Sequence, residues 1–531
     1  MMHDHEKSDP VIVAENRANA GGQPAAEGGE PRTGAKGNTP QTDTRRTPRR
    51  ASVSHGLERV RRAAKLNKEE RFTALLHHVD VDLLRQAYFW LKPEAAPGVD
   101  GVTWQEYGQG LEDKLKDLHE RVHRGSYRAL PTRRRYIPKP DGRQRPLGIA
   151  ALEDKIVQRA VVEVLNAIYE EDFLGFSYGF RPGRSQHDAL DALAAGITRT
   201  PVNWILDADI RSFFDSVSHD WLIRFVEHRI GDRRIVRLIR KWLKVGVMEE
   251  GEVTAGTVGT PQGAVISPLL ANIYLHYALD LWARQWRHRH ARGNVVVVRY
   301  ADDLVVGFQY QADATRFLTD LRQRLESFAL SLHPDKTRLI EFGRFAAVSR
   351  ERRGLGKPET FNFLGFTHIC GRTRNGKFSL RRKTRRDRLR AKLREVKETL
   401  RRRLHAAIDE QGAWLRQVVR GYFAYHAVPN NIQALAAFRR GIKWLWGRSL
   451  RRRSQKDRLT RSALNRLVAR WLPTPSITHP WPEKRFAVTH PRWEPDARIG
   501  HVRFCAGVRS NAHPYRDKGV DTRKQHFSAA C

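Results

Sequence analysis

At 531 residues the chain has room for roughly two to four domains, and its 40% hydrophobic content is ample for a buried core. A formal charge of +38 calls for a polyanionic partner, with nucleic acid first and a general cationic surface as the bland alternative. No apolar run approaches the ~18 residues of a membrane span and no secretory leader is read, while three scattered cysteines (Cys370, Cys505, Cys531) argue against a disulfide framework or zinc site and fit a reducing cytoplasm.

Residues 1–54 are rich in Gly, Pro, Ala, Asn and Arg and nearly lack aromatics, so they cannot bury enough surface to offset their ordering entropy. They read as a disordered basic tail. From 55 to 135 the pattern is helical, with Leu83–Leu91 and Leu111–Leu115 at helical spacing and Pro97-Gly98 breaking the run between them. Residues 136–370 alternate strand and helix patterns, which predicts an α/β fold.

Two acid-bearing segments stand out in that region. Trp204-Ile205-Leu206-Asp207-Ala208-Asp209 is an apolar strand running into carboxylates. Val295–Val298 and Leu304–Phe308 flank Tyr300-Ala301-Asp302-Asp303, which predicts a strand, a tight turn and a returning strand. Adjacent carboxylates repel unless something positive offsets them, and a divalent cation does so. An ordinary solvated Asp-Asp turn explains the tetrad alone equally well. The strand ending at Asp209 tips the balance, because Mg²⁺ takes one or two carboxylates together with phosphate oxygens and water.

Residues 380–404 carry 13 Lys or Arg against three acids, with Leu380, Leu389, Leu393, Val396 and Leu400 near helical spacing. They predict one amphipathic basic helix that binds backbone phosphate. Further helices are expected through Trp414, Tyr422, Phe423 and Tyr425 and through Leu435, Phe438, Trp444 and Trp446, to about residue 470. Aromatics at this spacing are more often core than a stacking platform, so the arginines between them, such as Arg420, are the better RNA contacts. Beyond Pro473 periodicity fades.

Ordered blocks then suggest a family. Ala96-Pro97-Gly98-Val99-Asp100-Gly101, Ile137–Ile149, Tyr178-Gly179-Phe180-Arg181-Pro182-Gly183-Arg184-Ser185, Gly259-Thr260-Pro261-Gln262-Gly263, His333-Pro334-Asp335-Lys336-Thr337 and Phe363-Leu364-Gly365-Phe366 accompany the tetrad. In this order they resemble bacterial group II intron-encoded proteins, which are reverse transcriptases with a maturase domain. The resemblance covers roughly residues 55–470. It implies an α/β right-hand polymerase fold with fingers and palm over 136–370, a helical N-terminal extension over 55–135 and a mostly α-helical thumb/maturase domain over 371–470.

The resemblance also implies roles. Asp209, Asp302 and Asp303 are the expected ligands of two Mg²⁺ ions, and Lys336 the lysine that protonates pyrophosphate. Lys139 and Arg145 resemble the cations that grip the triphosphate, and Gln262 a residue that touches the incoming sugar. Phe214, five residues after Asp209, resembles the side chain that crowds a ribose 2′-OH; Phe213 is expected to face the opposite side of its strand, in the core. Asp207 and Asp215 read as structural. Arg381, Arg382, Lys383, Arg385, Arg386 and Arg420 are the expected RNA contacts.

The implied activity is RNA-directed DNA polymerisation with intron RNA binding, splicing assistance and mobility. Its partners are intron RNA, a DNA target and primer, and dNTPs, in the cytoplasm. The alternatives are a maturase with a vestigial polymerase site and a free-standing reverse transcriptase in defence or repair. Residues 471–531 hold histidines but only isolated cysteines, so no H-N-H endonuclease is read there. Arg498, Arg503 and Arg509 suit a DNA-binding remnant, and the primer is then expected from elsewhere, such as a nascent strand at a replication fork.

Overall fold

The computed structural model describes residues 50–138, 144–249, 252–254, 259, 263–453 and 459–489. The expectations for Lys139, for Gln262, for the tail before residue 50 and for Arg498, Arg503 and Arg509 lie outside these residues. So does the Arg145 side chain, although its backbone is described.

The N-terminal region is helical, with α1 (Arg50–Leu66), α2 (Val81–Trp90), α3 (Trp104–Gly108) and α4 (Leu111–Arg124). Helix α1 begins inside the stretch whose composition predicts disorder. Local chemistry sets the helix starts: Asp80 accepts from the Leu83 amide at 2.7 Å, and Thr103 and Glu106 form a reciprocal capping box. Val60, Ala64, Leu83, Leu84, Leu115 and Leu118 join the same hydrophobic cluster as the following α/β region.

Strands β1 (Thr132–Pro138) and β2 (Gln144–Ile149) form an antiparallel hairpin. Helices α5 (Leu152–Asp172) and α6 (Gln186–Arg199) precede β3 (Trp204–Asp209). Then come α7 (Phe213–Ser216), α8 (His219–Arg229), α9 (Arg233–Lys244), β4 (Val247–Glu249) and β5 (Glu252–Thr254). Strands β4 and β5 complete a sheet of order β2-β1-β4-β5. Helix α10 (Ser267–Leu275) runs through a π-helical turn, His276–Asp280, into α11 (Leu281–Arg289).

Strands β6 (Val295–Tyr300) and β7 (Asp303–Phe308) form the hairpin expected around the tetrad. Helix α12 (Gln311–Glu326) and β8 (Arg338–Glu341) follow, giving a second sheet of order β6-β7-β3-β8. Its strands β6 and β7 are buried along their whole length and largely apolar, as strands covered on both faces are. Leu206, Ala208, Val297, Leu304 and Val306 belong to one hydrophobic cluster, on the side of α12, while Ile205, Val296, Val298 and Val305 belong to a second, with α6 packed on β6. The acids sit at the end of this doubly covered sheet.

After α13 (Ala346–Arg352), strands β9 (Phe361–Phe363), β10 (Phe366–Arg372) and β11 (Phe378–Thr384) form a third sheet. The remainder is helical: α14 (Arg386–Arg402), α15 (Ile408–His426), α16 (Ile432–Arg451), α17 (Arg461–Trp471) and α18 (Pro482–Thr489). Val396, Leu415, Val419, Phe438, Ile442 and Trp446 form the core of this region.

Two expectations need correction here. The basic segment 380–404 is not one helix, because residues up to Thr384 pair with β10 in β11 and the helix starts at Arg386. Phe213 is buried as expected but lies on the short helix α7, since the strand ends at Asp209. Past Pro473, the chain does not simply trail off: α18 packs on α6, and Arg485 Nε lies 3.2 Å from Asp191 Oδ2. Among the described residues, no helix is long and apolar enough to cross a membrane.

Candidate active site

Strands β3 and β7 are antiparallel, and their register sets Asp209 directly opposite Asp303. Cross-strand partners share a face of the sheet, so the two carboxylates are neighbours, each about 1% exposed. Asp302 occupies the two-residue turn between Tyr300 and Asp303 and is partly exposed. The structure therefore brings Asp209 and Asp303 together, and Asp302 adjoins them on the turn.

Lys336 joins them, with Nζ 3.3 Å from Asp209 Oδ2. The segment carrying Lys336 is held to β3 by the His333 amide, which donates to the Asp209 carbonyl at 2.8 Å. Asp207 is buried farther back on the strand.

Ala301 adopts a left-handed φ of +55°, costly for a residue with a Cβ. Its surroundings hold it there. A Cβ on Gly179 would lie 2.2 Å from the Ala301 nitrogen, so only glycine lets that segment approach the turn. The Arg299 Nη1 donates to the Ala301 carbonyl at 2.8 Å.

Phe214 lies on α7, half-buried, with its ring 5.5 Å from that of Phe213. Two glycines near it make close backbone approaches. Gly259, at φ +89°, has no room for a Cβ, which would sit 2.9 Å from the Phe214 carbonyl oxygen. Gly263, at φ +109°, passes as closely to the Gly148 carbonyl oxygen of β2. Gly259 thus lies against α7, and Gly263 against β2 of the hairpin.

The donor set suits a hard divalent cation. Among the described residues, no three His, Cys, Asp or Glu side chains converge into a ready cage. Mg²⁺ does not need one, since it keeps waters and phosphate oxygens beside one or two carboxylates. Asp209 and Asp303 are two carboxylates in register, and Asp302 adjoins them on the turn.

The expected RNA contacts divide. Arg381, Lys383, Arg386 and Arg420 are exposed. Arg382 is 2% exposed and pairs through Nη1 with Asp191 Oδ1 at 2.7 Å, and Arg385 is 4% exposed and pairs with Asp387. Arg382 and Arg385 are therefore internal ion-pair residues and not surface contacts. Strand alternation explains it, because Arg382 points inward between two outward cations.

Sequence reasoning missed Arg299, Asp280, Asn272 and Ser177, which are buried next to the turn. The available signal was a charged residue closing a run of four valines, and an acid inside the apolar segment 269–281.

Residues 137–368 match the family described as reverse transcriptase (RNA-dependent DNA polymerase). The chain is 39% identical over 277 residues to Protein YkfC of Escherichia coli, covering 46% of this chain and 72% of that protein. It is 36% identical over 238 residues to the group II intron-encoded protein LtrA of Lactococcus lactis, covering 44% of this chain and 39% of LtrA. Nuclear intron maturase 3, mitochondrial, of Arabidopsis thaliana is 30% identical over 240 residues, covering 40% of this chain and 31% of that protein. The chain thus spans most of YkfC but well under half of LtrA and the plant maturase.

Proposed function

The chain belongs to the group II intron-type reverse transcriptases, RNA-directed DNA polymerases, and from that premise we propose that it copies intron RNA at the Asp209–Asp302–Asp303 site and assists splicing of that RNA. The observation carrying the polymerase reading is the register that pairs Asp209 with Asp303 beside Asp302. In this reading β1–β2 with β4–β5 are the fingers, the β6-β7-β3-β8 sheet is the palm, and α14–α17 form the thumb/maturase region.

Nucleotidyl transfer is attack of a primer 3′ hydroxyl on the α-phosphate of a dNTP, with pyrophosphate leaving in line. It is mainly a matter of positioning and charge neutralisation. Asp209, Asp302 and Asp303 would hold two Mg²⁺ ions, which when bound supply Lewis-acid stabilisation of the phosphoryl charge. Lys336, 3.3 Å from Asp209, would in this reading give a proton to the departing pyrophosphate. Phe214 closes the sugar side of the pocket, and Lys139, Arg145 and Gln262 complete the nucleotide contacts. Because Arg382 and Arg385 are buried in ion pairs, this reading takes Arg381, Lys383, Arg386 and Arg420 as the RNA-facing cations.

The intact acid set favours this reading over a maturase with a vestigial polymerase site. The test is primer extension on an RNA template with Mg²⁺. Wild type is expected to extend and Asp209→Ala to lose activity. Equal extension by the two proteins would remove these acids from the chemistry.

A further inference from the structure

Arg299 immediately precedes the Tyr300–Asp303 turn, and its guanidinium is fully buried. Its Nε donates to Asp280 Oδ1 at 2.7 Å and its Nη2 to Asp280 Oδ2 at 2.6 Å. The second Nη2 hydrogen goes to Ser177 Oγ at 2.6 Å. Nη1 donates to Asn272 Oδ1 at 3.1 Å and to the Ala301 carbonyl at 2.8 Å. All five donors of the guanidinium are used, and each goes to a fixed acceptor.

These acceptors come from separate parts of the chain. Ser177 belongs to the segment beside β6, where the Arg299 amide donates to the Phe176 carbonyl and the Tyr178 amide donates to the Arg299 carbonyl, both at 2.9 Å. Asn272 lies on α10, which begins just after the Gly259–Gly263 segment, and its Nδ2 donates to the Gly179 carbonyl at 2.7 Å. Asp280 closes the π-helical turn, a geometry that recurs at functional sites. Only one of the five bonds reaches the turn directly, but it holds the carbonyl of the strained residue between Tyr300 and Asp302.

A wholly buried ion pair contributes little net stability compared with a well-packed apolar pair. What the Arg299 cluster provides is position. A left-handed alanine persists only where its surroundings over-determine it. We infer that Arg299, fixed by Asp280, Asn272 and Ser177, is a positioning residue that sets the Ala301 carbonyl and through it the orientation of Asp302 and Asp303 toward the divalent cation. Asn272 makes the same cluster the link between the acidic turn and the helix following the nucleotide-binding segment. Lysine cannot replace it, because an ammonium has three donors and no fork.

The inference rests on Asp302 and Asp303 being metal ligands, and the test separates the two claims. Mn²⁺ binding is titrated by electron paramagnetic resonance on the full chain, below its unfolding temperature, for wild type and for Asp303→Ala, Ser177→Ala, Arg299→Lys and Arg229→Lys. Primer extension gives kcat and KM for dNTP on the same preparations. Arg229→Lys is the matched control. Arg229 is also a buried arginine, 2.8 Å from Asp172, but its other partners are the Asn67, Glu70 and Ala64 carbonyls.

Loss of one or more charge-assisted hydrogen bonds is expected to weaken Mn²⁺ binding roughly tenfold in Arg299→Lys and severalfold in Ser177→Ala. The kcat should fall in parallel while KM for dNTP stays within about threefold of wild type, since the lost interaction acts on the reacting geometry and not on nucleotide affinity. Arg229→Lys should lower thermal stability alone. If Arg299→Lys does not fold, Ser177→Ala decides. Wild-type Mn²⁺ affinity and kcat in the folded variants, with binding lost in Asp303→Ala, would overturn the positioning role. Undiminished Mn²⁺ binding by Asp303→Ala overturns the metal-ligand reading itself, and the positioning role with it.

Discussion

Asp209 and Asp303 face each other across β3 and β7, both almost wholly buried, with the Lys336 ammonium 3.3 Å from Asp209 Oδ2. Like charges directly opposite on a sheet repel each other. Two carboxylates in this register carry a mutual electrostatic cost that a divalent cation would offset.

The first prediction follows from that cost. Asp303→Asn removes one of the like charges, keeps the shape and leaves the Lys336–Asp209 pair intact. Its thermal midpoint should equal or exceed that of wild type in metal-free buffer. Primer extension should fall by on the order of a thousandfold, the worth of several kcal/mol of lost charge stabilisation. Differential scanning fluorimetry and extension assays on one preparation check both halves. A clear drop in the midpoint would show that Asp303 is a structural acid.

Phe214 tests the sugar side of the pocket. It stands on α7 where the Gly259 backbone passes close to its carbonyl oxygen. Phe214→Val shortens the side chain and opens space where a ribose 2′-OH would fall. Incorporation of ribonucleotides relative to deoxynucleotides should rise by roughly 10- to 100-fold, the range that pocket contacts of this size discriminate. Truncating a half-buried ring should cost about 1–3 kcal/mol of stability. Competitive incorporation assays read the selectivity. An unchanged ratio with the stability loss alone would place Phe214 in the core.

The acid site and the palm hairpin were legible because their signal is local. Val295–Val298 and Leu304–Phe308 are strand-forming runs, and the two-residue break between Tyr300 and Asp303 leaves room only for a tight turn. What joins Asp209 to that turn is a strand register spanning about ninety residues of sequence, which periodicity does not encode. The Arg299 cluster was illegible for the same reason, since Ser177, Asn272 and Asp280 come from three separate segments.

The basic segment 380–404 misled in an instructive way. Its leucines match helical spacing, yet Arg381-Arg382-Lys383 are strand residues paired with His368 and its neighbours in β10. Tertiary pairing overrode the local pattern. Alternation on the strand then buried Arg382 against Asp191, a partner nearly two hundred residues away. Lys139 and Gln262 fall outside the described residues, so their sequence-based roles rest on the resemblance.

Buried histidines set the acid limit of stability. Burial pushes His276 and His426 down to about 3, and pushes His187 well below the ordinary value of 6.5. A neutral folded imidazole whose unfolded form protonates near 6.5 makes the unfolded state bind more protons between about 3 and 6.5. Stability is therefore complete above pH 6.5 and is lost as pH falls through that window. At pH 5 each of His276 and His426 should cost about 2 kcal/mol, from ~1.5 pH units at 1.36 kcal/mol per unit. His276 Nδ1 makes no hydrogen bond, so His276→Leu should fold and recover about that amount at pH 5 relative to pH 7.5. Urea titrations at the two pH values check it, and an equal acid penalty in wild type and variant would contradict it.

The final prediction separates surface cations from buried ones. Arg386, Arg390, Arg394, Lys397 and Arg401 are exposed on α14 at spacings of three and four, which puts them on one stripe of the helix. Cations on a stripe follow a phosphate backbone, and each contact releases counterions when RNA binds. Replacing Arg386, Arg390 and Arg394 with Gln should flatten the slope of log affinity against log salt by about 2–3, at ~0.7–0.9 per lost contact. The thermal midpoint should hardly move, because the removed charges are solvated. Arg382→Met should do the reverse. It leaves Asp191 buried with only Arg485 Nε at 3.2 Å, and breaking a buried pair costs about 3 kcal/mol. The salt slope should then match wild type at temperatures where the variant is folded, because Arg382 never reaches solvent. Filter binding to a structured RNA over a salt series, paired with thermal melts, distinguishes the two effects. A salt slope that drops in Arg382→Met would mean that β11 opens to present it.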